Sequence, residues 1–261
     1  MPYIKAKDLV VEFPILDTPH RSLKQTVLHA TTGGRIGRDA GNRVVVRGLD
    51  SVSFEVKSGD RVGLIGHNGA GKTTLLRALS GIYEPLSGEL IVEGSTATLL
   101  DLNLGIDPDA TGYDNIILRG IIAGLHPREI RRRLPEIAEF TGLGDYLEMP
   151  LRTYSSGMRL RLAFAVSTSI EADVLLMDEW LSVGDESFSE KAAARLDELV
   201  NRSPILVLAT HSYSLVRLVC NRVFRLEHGN LTEVPVSSLH VDEKHRRGEH
   251  DLLSSVMRAP S

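Results

Sequence analysis

Two kinds of apolar pattern alternate along the chain. Some short segments are continuously apolar, whereas longer ones alternate apolar and polar positions. Continuous runs are typical of central parallel strands covered by helices on both faces, and alternation is typical of antiparallel strands with one exposed face. The chain is therefore expected to contain two kinds of sheet. The continuous runs are "VGLIG", "VLLMD" and "ILVLAT", the alternating ones are "YIKAKDLVVEF", "RVVVRGLDSVSFEV" and "GELIVEGSTATLL", and "RVFRLE" is a further strand-like segment.

Helical periodicity separates these strands, and the pattern is mainly helical from about 112 to 165. The combination favours an α/β domain with an antiparallel β-subdomain and a helical subdomain. This domain is expected to cover 1–230, with a basic insertion at about 14–43 and a short polar tail at 231–261. The predicted helices are 72–80, about 113–125, 128–140, 155–169, 187–201 and 212–220.

Composition places the chain among ordinary globular proteins. Its 261 residues are enough for a substantial core, and the apolar fraction of 42% and the charged fraction of 25% are unexceptional. No apolar run reaches the roughly 18–20 residues that cross a bilayer, and the N-terminus does not resemble a signal peptide. The single cysteine, Cys220, allows no internal disulfide. We expect a soluble protein that stays inside the cell.

The charge is uneven. A net charge of −4 argues against a nucleic-acid partner, which usually requires a clearly basic domain. Positive charge is concentrated between Arg21 and Arg47 and in "HPREIRRR" at 126–133, and each cluster is either solvated surface or a contact for an anionic partner. With "SLKQTVL" at helical spacing, the first cluster also fits an amphipathic helix near the membrane, where Arg21, Lys24 and Arg35 would lie close to anionic lipid or a pyrophosphate-linked substrate.

The segment "GHNGAGKT" fits the phosphate-loop pattern GxxxxGK[ST], with a strand before it and a helix after it. Glycines let successive N–H groups point at one anion, and the helix N-terminus adds partial positive charge. Lys72 would reach the β- and γ-phosphates, and the Thr73 hydroxyl would bind Mg²⁺. The flanking strand and helix favour this interpretation over a chance glycine-rich turn. The predicted nucleotide-binding residues are Gly66, His67, Asn68, Gly69, Ala70, Gly71, Lys72, Thr73 and Thr74.

Two further strand ends carry side chains that suit catalysis. "VLLMDE" delivers Asp178 and Glu179 to the carboxyl end of a strand, where ligands of open α/β sheets lie. Asp178 would organise the metal ion and Glu179 would orient or deprotonate a water molecule, unless the pair is a simple cap. "ILVLATHS" delivers His211, which is either structural or a contact of the γ-phosphate. Beside a phosphate loop we favour catalysis, with Lys72, Glu179 and His211 as the catalytic residues.

The stretch "YSSGM" at 154–158 precedes a helical run. Ser155 and Ser156 are good N-cap residues, and Gly157 lets a ligand approach the backbone closely. The stretch is either a plain helix cap or a second anion site. Its position between the phosphate loop and the acidic strand favours the anion site.

Taken in order, these motifs resemble the ATP-binding subunit of an ABC transporter, over about residues 3–230. The resemblance implies a P-loop NTPase (RecA-like) core and a homodimer in which each ATP lies between the Walker A loop of one copy and the signature of the other. The matching motifs are Walker A (66–73), the signature (154–158), Walker B (174–178), the catalytic Glu179, a D-loop (182–185, "SVGD") and the switch His211.

More narrowly, the chain is similar to exporters of cell-surface polysaccharide such as O-antigen, teichoic acid and galactan. The similarity rests on "YSSGMRLRLAFA", "DEWLSVGDESF", "LLDLNLGIDPDATGYDNI" and the insertion before the second strand. It implies a lipid-linked glycan as substrate, a pair of integral-membrane permease subunits as partners, and a peripheral location at the cytoplasmic face of the inner membrane. The alternatives are an ABC transporter for another substrate, such as an importer or small-molecule exporter, and a non-transport ABC ATPase.

The sequence departs from the family pattern in three ways. The Q-loop glutamine is absent, and Asp101 lies nearest to that position, where it would be a metal ligand or contact water. Phe13 is the closest match to the tyrosine that usually stacks on adenine, and core packing explains it equally well. Ser156 and Met158 replace the glycine and glutamine of the commoner signature, which leaves Ser155 and Gly157 as the expected γ-phosphate contacts.

Overall fold

The computed structural model describes residues 1–14, 35–38, 44–100, 105–179 and 186–239. Several features inferred from the sequence lie outside these residues. They are Asp101, the D-loop at 182–185, the basic segment containing Arg21 and Lys24, and the chain beyond 239.

The chain divides into two compact units. Among the described residues, the first unit contains 1–14, 35–38, 44–96, 176–179 and 204–239, and the second contains 97–100, 105–175 and 186–203.

An antiparallel sheet belongs to the first unit. Its strands are β1 (Tyr3–Pro14), β2 (Arg35–Arg38), β3 (Val44–Lys57) and β5 (Ser87–Glu93), in the order β2–β3–β1–β5. All three pairings are antiparallel, as the alternation of apolar and polar positions predicts.

The phosphate loop follows a strand of a second, mainly parallel sheet. In the first unit β10 (Asn230–Val234), β9 (Arg222–Glu227), β4 (Arg61–Ile65), β8 (Ile205–Ala209) and the end of β7 (Val174–Asp178) lie side by side in that order. β4 runs parallel to β8 and β9, which brings their carboxyl ends to one edge. The end of β7 reaches the same edge, because its following amide donates a hydrogen bond to the last residue of β8.

Both units contain α-helices. Helices α1 (Lys72–Leu79) and α6 (Tyr213–Val219) belong to the first unit, and α2 (Gly112–Ile122), α3 (Pro127–Thr141), α4 (Ser156–Ser167) and α5 (Glu186–Arg202) to the second. Each predicted helix is present, with ends within three residues of the prediction. Ile116, Ile130 and Leu162 are fully buried where α2, α3 and α4 pack together. None of the helices among the described residues has the length and apolar character needed to cross a membrane.

The strand prediction differs from the structure in three places. It omitted β2 and β10, and it treated 88–100 as one segment, whereas the chain forms β5 and then β6 (Thr96–Leu99). Gly94, with φ of 115°, lies between these two strands. β10 forms an antiparallel hairpin with β9 and so continues the sheet past 231, where the tail was predicted to begin.

Candidate active site

The phosphate-loop sequence connects β4 to α1 along a path that requires glycine. Gly66, Gly69 and Gly71 have φ angles of 152°, 78° and 111°. A Cβ on Gly66 would lie 2.3 Å from the carbonyl oxygen of Leu226, and one on Gly71 would lie 2.5 Å from that of Gly48. The loop leads directly into the N-terminus of α1, an arrangement that suits a bound anion.

Lys72, the first residue of α1, is buried beneath the loop. Its Nζ donates hydrogen bonds to the carbonyl oxygens of Gly66 (2.8 Å) and His67 (3.3 Å). Burial lowers the pKa of the Lys72 ammonium, and the negative charges of Asp178 and Glu179 act in the opposite direction. The negative charge of a bound polyphosphate would stabilise this ammonium group in place of the water that burial excludes.

Thr73 and Asp178 bring a hydroxyl and a carboxylate together. The Oγ1 atom of Thr73 donates a hydrogen bond to Oδ2 of Asp178 at 2.6 Å. Thr73 comes from the first turn of α1, and Asp178 is the last residue of β7. Both are hard oxygen donors, the kind of ligand that Mg²⁺ prefers, so these residues fit a magnesium ion.

Glu179 follows β7 in a strained but well-supported conformation. Its φ angle is 71°, in the left-handed region that non-glycine residues rarely adopt. Its N–H donates to the carbonyl oxygen of Ala209 at 2.8 Å. Its Oε2 accepts a hydrogen bond from Oγ1 of Thr210 at 3.0 Å. The backbone and one carboxylate oxygen are therefore both held by the end of β8.

His211 completes the group at this edge. Its Nε2 lies 3.3 Å from the Nζ of Lys72, and because an ammonium can only donate, Nε2 is the acceptor. The same Nε2 lies 4.0 Å from Oε1 of Glu179. The side chains of His211 and Glu179 are 51% and 49% exposed, so both can reach a ligand from solvent.

The turn between β9 and β10 packs against the phosphate loop. The N–H of Gly229 donates to the carbonyl oxygen of Ala70 at 3.1 Å, and its own carbonyl oxygen accepts from the N–H of Asp50 at 2.9 Å. The ring centroid of His228 lies 4.9 Å from that of His67 in the loop. This hairpin therefore links the loop to strand β3.

Residues 49–182 match the family model described as ABC transporter. The match includes the phosphate loop, the segment at 154–158, and the acids Asp178 and Glu179 at the end of β7. The chain belongs to the ABC transporter family. This membership makes it an ABC-type ATPase.

Curated relatives of this ABC ATPase include export proteins. The O-antigen export system ATP-binding protein RfbE of Yersinia enterocolitica is 48% identical over 227 residues, which cover 87% of this chain and 95% of that protein. RfbB of Myxococcus xanthus is 39% identical over 236 residues, covering 90% of this chain and 53% of that protein. The teichoic acids export ATP-binding protein TagH of Listeria monocytogenes is 40% identical over 186 residues, covering 71% of this chain and 55% of that protein. The chain thus spans nearly all of the first relative and about half of the other two.

Solved structures share the fold. A dimeric ATP-binding cassette bound to ADP and Pi matches with a TM-score of 0.63 and 18% identity, over 90% of this chain and 100% of the other. An ATP-binding subunit of an ABC transporter matches with a TM-score of 0.63 and 20% identity, over 98% of this chain and 99% of the other. The inferred fold class, a P-loop ABC cassette, is confirmed.

The segment at 154–158, predicted to be the signature, lies in the second unit of this ABC ATPase. Ser155 is the N-cap of α4, where its Oγ accepts a hydrogen bond from an N–H of the first turn, and Ser156 is the first helical residue. Both serines are exposed. Among the described residues beyond its chain neighbours and the backbone of α4, a Cβ on Gly157 would approach only Oγ of Ser155, at 3.9 Å. The buried Tyr154 anchors the segment through a hydrogen bond from its hydroxyl to the carbonyl oxygen of Tyr146 at 2.5 Å.

Phe13 lies in the first unit, near the start of α1. A Cβ on Gly48 would lie 3.1 Å from the Phe13 ring and 3.0 Å from Cγ2 of Thr74. The ring also packs edge to face on Tyr83, with centroids 5.0 Å apart and an interplanar angle of 71°. Phe13 therefore has a structural contact and, at the same time, lies beside a residue of the predicted phosphate site.

Sequence reasoning did not single out Thr210, although its hydroxyl contacts the predicted catalytic glutamate. The only signal available was its position between the apolar run "ILVLA" and His211. Of the other predicted site residues, Lys72, Thr73, Asp178, Glu179 and His211 converge at one edge of the sheet. Asp101 lies outside the described residues.

Proposed function

We propose that this chain is the ATP-hydrolysing subunit of an ABC transporter that exports a lipid-linked cell-surface polysaccharide of the O-antigen or galactan type. The observation that carries this proposal is its 48% identity to an O-antigen export ATP-binding protein, over 95% of the length of that protein. Two further relatives at 39% and 40% identity are named for the export of O-antigen and teichoic acid, which favours the same class of cargo.

Each catalytic group has a role in this proposal. The phosphate loop binds ATP, Lys72 binds the β- and γ-phosphates, and Thr73 and Asp178 hold Mg²⁺, which would neutralise phosphate charge. Glu179 orients or deprotonates the attacking water, and His211 contacts the γ-phosphate. Support comes from their geometry, since the Lys72–His211 and Thr73–Asp178 contacts measure 3.3 Å and 2.6 Å.

The site is completed by a second copy of the chain in this proposal. Ser155, Ser156 and Gly157 would contact the γ-phosphate of an ATP held by the phosphate loop of the partner. The N-terminus of α4 favours an anion. Apart from its chain neighbours and the backbone of α4, the described part of the chain brings only Oγ of Ser155 within 4 Å of a Cβ placed on Gly157. Two composite sites per homodimer follow.

Gly157→Leu tests the composite site. The position is helical and open, so the substituted chain is expected to fold and to bind ATP on its phosphate loop with affinity near that of the unsubstituted chain. The larger side chain would fill the space proposed for the γ-phosphate, and kcat should fall by about 100-fold or more because such displacement misplaces the reacting groups. Thermal unfolding, ATP titration and steady-state hydrolysis measure the three quantities.

Ala194→Leu provides a matched control, since Ala194 is an exposed residue of α5 and belongs to none of the segments predicted to bind ATP. It should leave kcat unchanged. Normal hydrolysis by Gly157→Leu would contradict the assignment of the signature segment to the ATP site.

Two permease subunits complete the transporter in this proposal, with the chain bound peripherally at the cytoplasmic face of the inner membrane. The relatives are named as ATP-binding proteins of export systems, so the route across the membrane is assigned to separate subunits. ATP binding would close the dimer and hydrolysis would reopen it, driving the permease through one cycle.

Deletion of the chain in its own organism tests the cargo. We expect lipid-linked polysaccharide to accumulate inside the cell and to disappear from its surface. Glycan is extracted separately from intact cells and from the inner membrane and quantified. The unsubstituted chain should restore the surface glycan, whereas Glu179→Gln at equal expression should not.

Glu89→Gln serves as the control for complementation, because Glu89 is exposed on β5 and carries the same charge. It should restore export fully. Unchanged surface polysaccharide in the deletion, accompanied by a defect in uptake of a small solute, would overturn the export proposal in favour of an importer.

A further inference from the structure

We propose that Thr210 is a positioning residue for hydrolysis, which holds the carboxylate of Glu179 through its hydroxyl and leaves one carboxylate oxygen free to face the attacking water. The inference rests on the proposed role of Glu179 and adds a residue that acts through it. The observation that carries it is the hydrogen bond from Oγ1 of Thr210 to Oε2 of Glu179, 3.0 Å long.

The backbone of Thr210 is fixed by the sheet. Thr210 directly follows β8 and is 1% exposed. Its N–H donates to the carbonyl oxygen of Leu64 in β4 at 3.2 Å. The residue before it, Ala209, accepts the N–H of Glu179 at 2.8 Å. Consecutive residues at the end of β8 therefore hold the backbone and the side chain of Glu179 separately.

The hydroxyl of Thr210 has a defined direction. It accepts a hydrogen bond from the N–H of Ser212 at 3.1 Å, so its own proton is left to point at Glu179. A hydroxyl has one proton to donate, and here a carboxylate oxygen receives it. Hydrogen bonds to charged acceptors are stronger than neutral ones, which makes this contact suited to holding a side chain in one rotamer.

The hydrogen bond from Thr210 gives the two carboxylate oxygens of Glu179 different surroundings. Oε2 is engaged by Thr210, while Oε1 faces Nε2 of His211 at 4.0 Å, too far for a hydrogen bond. A water molecule or a phosphate oxygen can enter beside Oε1. Without the hydroxyl, a half-exposed glutamate would sample several rotamers, and the fraction of molecules aligned for proton transfer would fall.

Threonine suits this position better than its close analogues. Its branched Cβ restricts the side chain to few rotamers, which directs the hydroxyl. Serine keeps the hydroxyl with more rotational freedom. Valine keeps the shape and removes the hydroxyl, so it leaves Oε2 of Glu179 without this donor and the Ser212 N–H without this acceptor.

The test compares Thr210→Val with Thr210→Ser in the full-length chain, purified with its permease subunits. We expect Thr210→Val to lower kcat by about 10- to 100-fold, while the KM for ATP stays within about twofold, because the loss is one of alignment rather than of binding. Thr210→Ser should keep kcat within about threefold, since the donor is retained. If thermal unfolding shows that Thr210→Val is not folded, Thr210→Ala takes its place.

Thr141→Val is the matched control. Thr141 is fully buried in α3, its hydroxyl donates to the carbonyl oxygen of Ala138 at 2.7 Å, and it accepts from the N–H two residues later at 3.2 Å. Thr141→Val removes the same atoms, but the two hydrogen bonds it loses join backbone groups of Ala138 and Leu143 rather than a predicted catalytic residue. Its kcat should equal that of the unsubstituted chain. An equal loss in this control would show a general packing effect and overturn the inference.

A double-mutant cycle separates action through Glu179 from action on the neighbouring His211. In a Glu179→Gln background, Thr210→Val should lower the residual single-turnover rate by less than about twofold. A further loss of about tenfold in this background would overturn the inference. So would a rise in KM that accounts for the lost kcat/KM of Thr210→Val, or a kcat of Thr210→Ser as low as that of Thr210→Val. If Glu179→Gln alone keeps full turnover, the proposed base is wrong, a result that does not depend on Thr210.

Discussion

Lys72→Ala is expected to abolish measurable ATP hydrolysis and to weaken ATP binding. The Lys72 ammonium is buried under the phosphate loop, where it donates to the carbonyl oxygens of Gly66 and His67. ATP would exchange these partners for phosphate oxygens. Two charge-assisted hydrogen bonds, each worth about 1.5–3 kcal/mol, correspond to about a 100- to 20,000-fold loss of affinity. Titration with ATP and steady-state turnover measure the two effects.

Lys57→Ala removes the same charge from an exposed position in the same unit. The Lys57 side chain is 70% exposed and pairs with Glu55 at 3.6 Å, a surface contact of small energetic value. Its affinity and turnover should match those of the unsubstituted chain. Near-normal hydrolysis by Lys72→Ala would refute the phosphate-loop assignment.

The phosphate loop was predictable because its chemistry is local. A backbone that wraps an anion requires positive φ at closely spaced positions, and Gly66, Gly69 and Gly71 meet this requirement at 152°, 78° and 111°. The glycines and the lysine that follows them, Lys72, therefore stand within eight consecutive residues, 66–73, and can be recognised from the sequence. No knowledge of distant contacts was needed.

The meeting of three strand ends was also predictable, because continuously apolar strands indicate a parallel sheet whose carboxyl ends share an edge. The structure brings Asp178 within 2.6 Å of Thr73, and His211 within 3.3 Å of Lys72. Apolar patterning identified the strands, and the polar residues that follow them identified the site.

The contact between Thr210 and Glu179 could not be predicted in this way. It joins residues 31 positions apart and depends on the exact stagger of two neighbouring strands, which apolar patterning does not specify. Threonine at a strand end is common and has no distinctive spacing. Strand β10 was missed for a different reason, because it is a largely polar edge strand without a clear apolar pattern. The glycine turn at Gly229 was the available signal for a hairpin with β9.

Glu179→Gln is expected to lower kcat by about 100- to 10,000-fold while ATP binding is retained, the range that general base catalysis contributes. Glutamine has nearly the same volume, and its carbonyl oxygen can still accept the hydrogen bond from Thr210, so the geometry at the end of β7 should persist. What is lost is the negative charge and the capacity to take a proton from water. Steady-state hydrolysis and ATP titration separate the two outcomes.

The same variant tests the proposed dimer, because a chain that binds ATP without hydrolysing it should remain closed on its partner. With ATP and Mg²⁺, Glu179→Gln is expected to elute as a dimer in size-exclusion chromatography. The double variant Glu179→Gln/Gly157→Leu is expected to elute as a monomer, because the leucine blocks the space beside Ser155 and Ser156. Glu89→Gln, which alters an exposed carboxylate on β5, should hydrolyse ATP normally. If Glu179→Gln keeps full turnover, Glu179 is not the catalytic base. If the variant no longer binds ATP, Glu179 contributes to ATP binding instead.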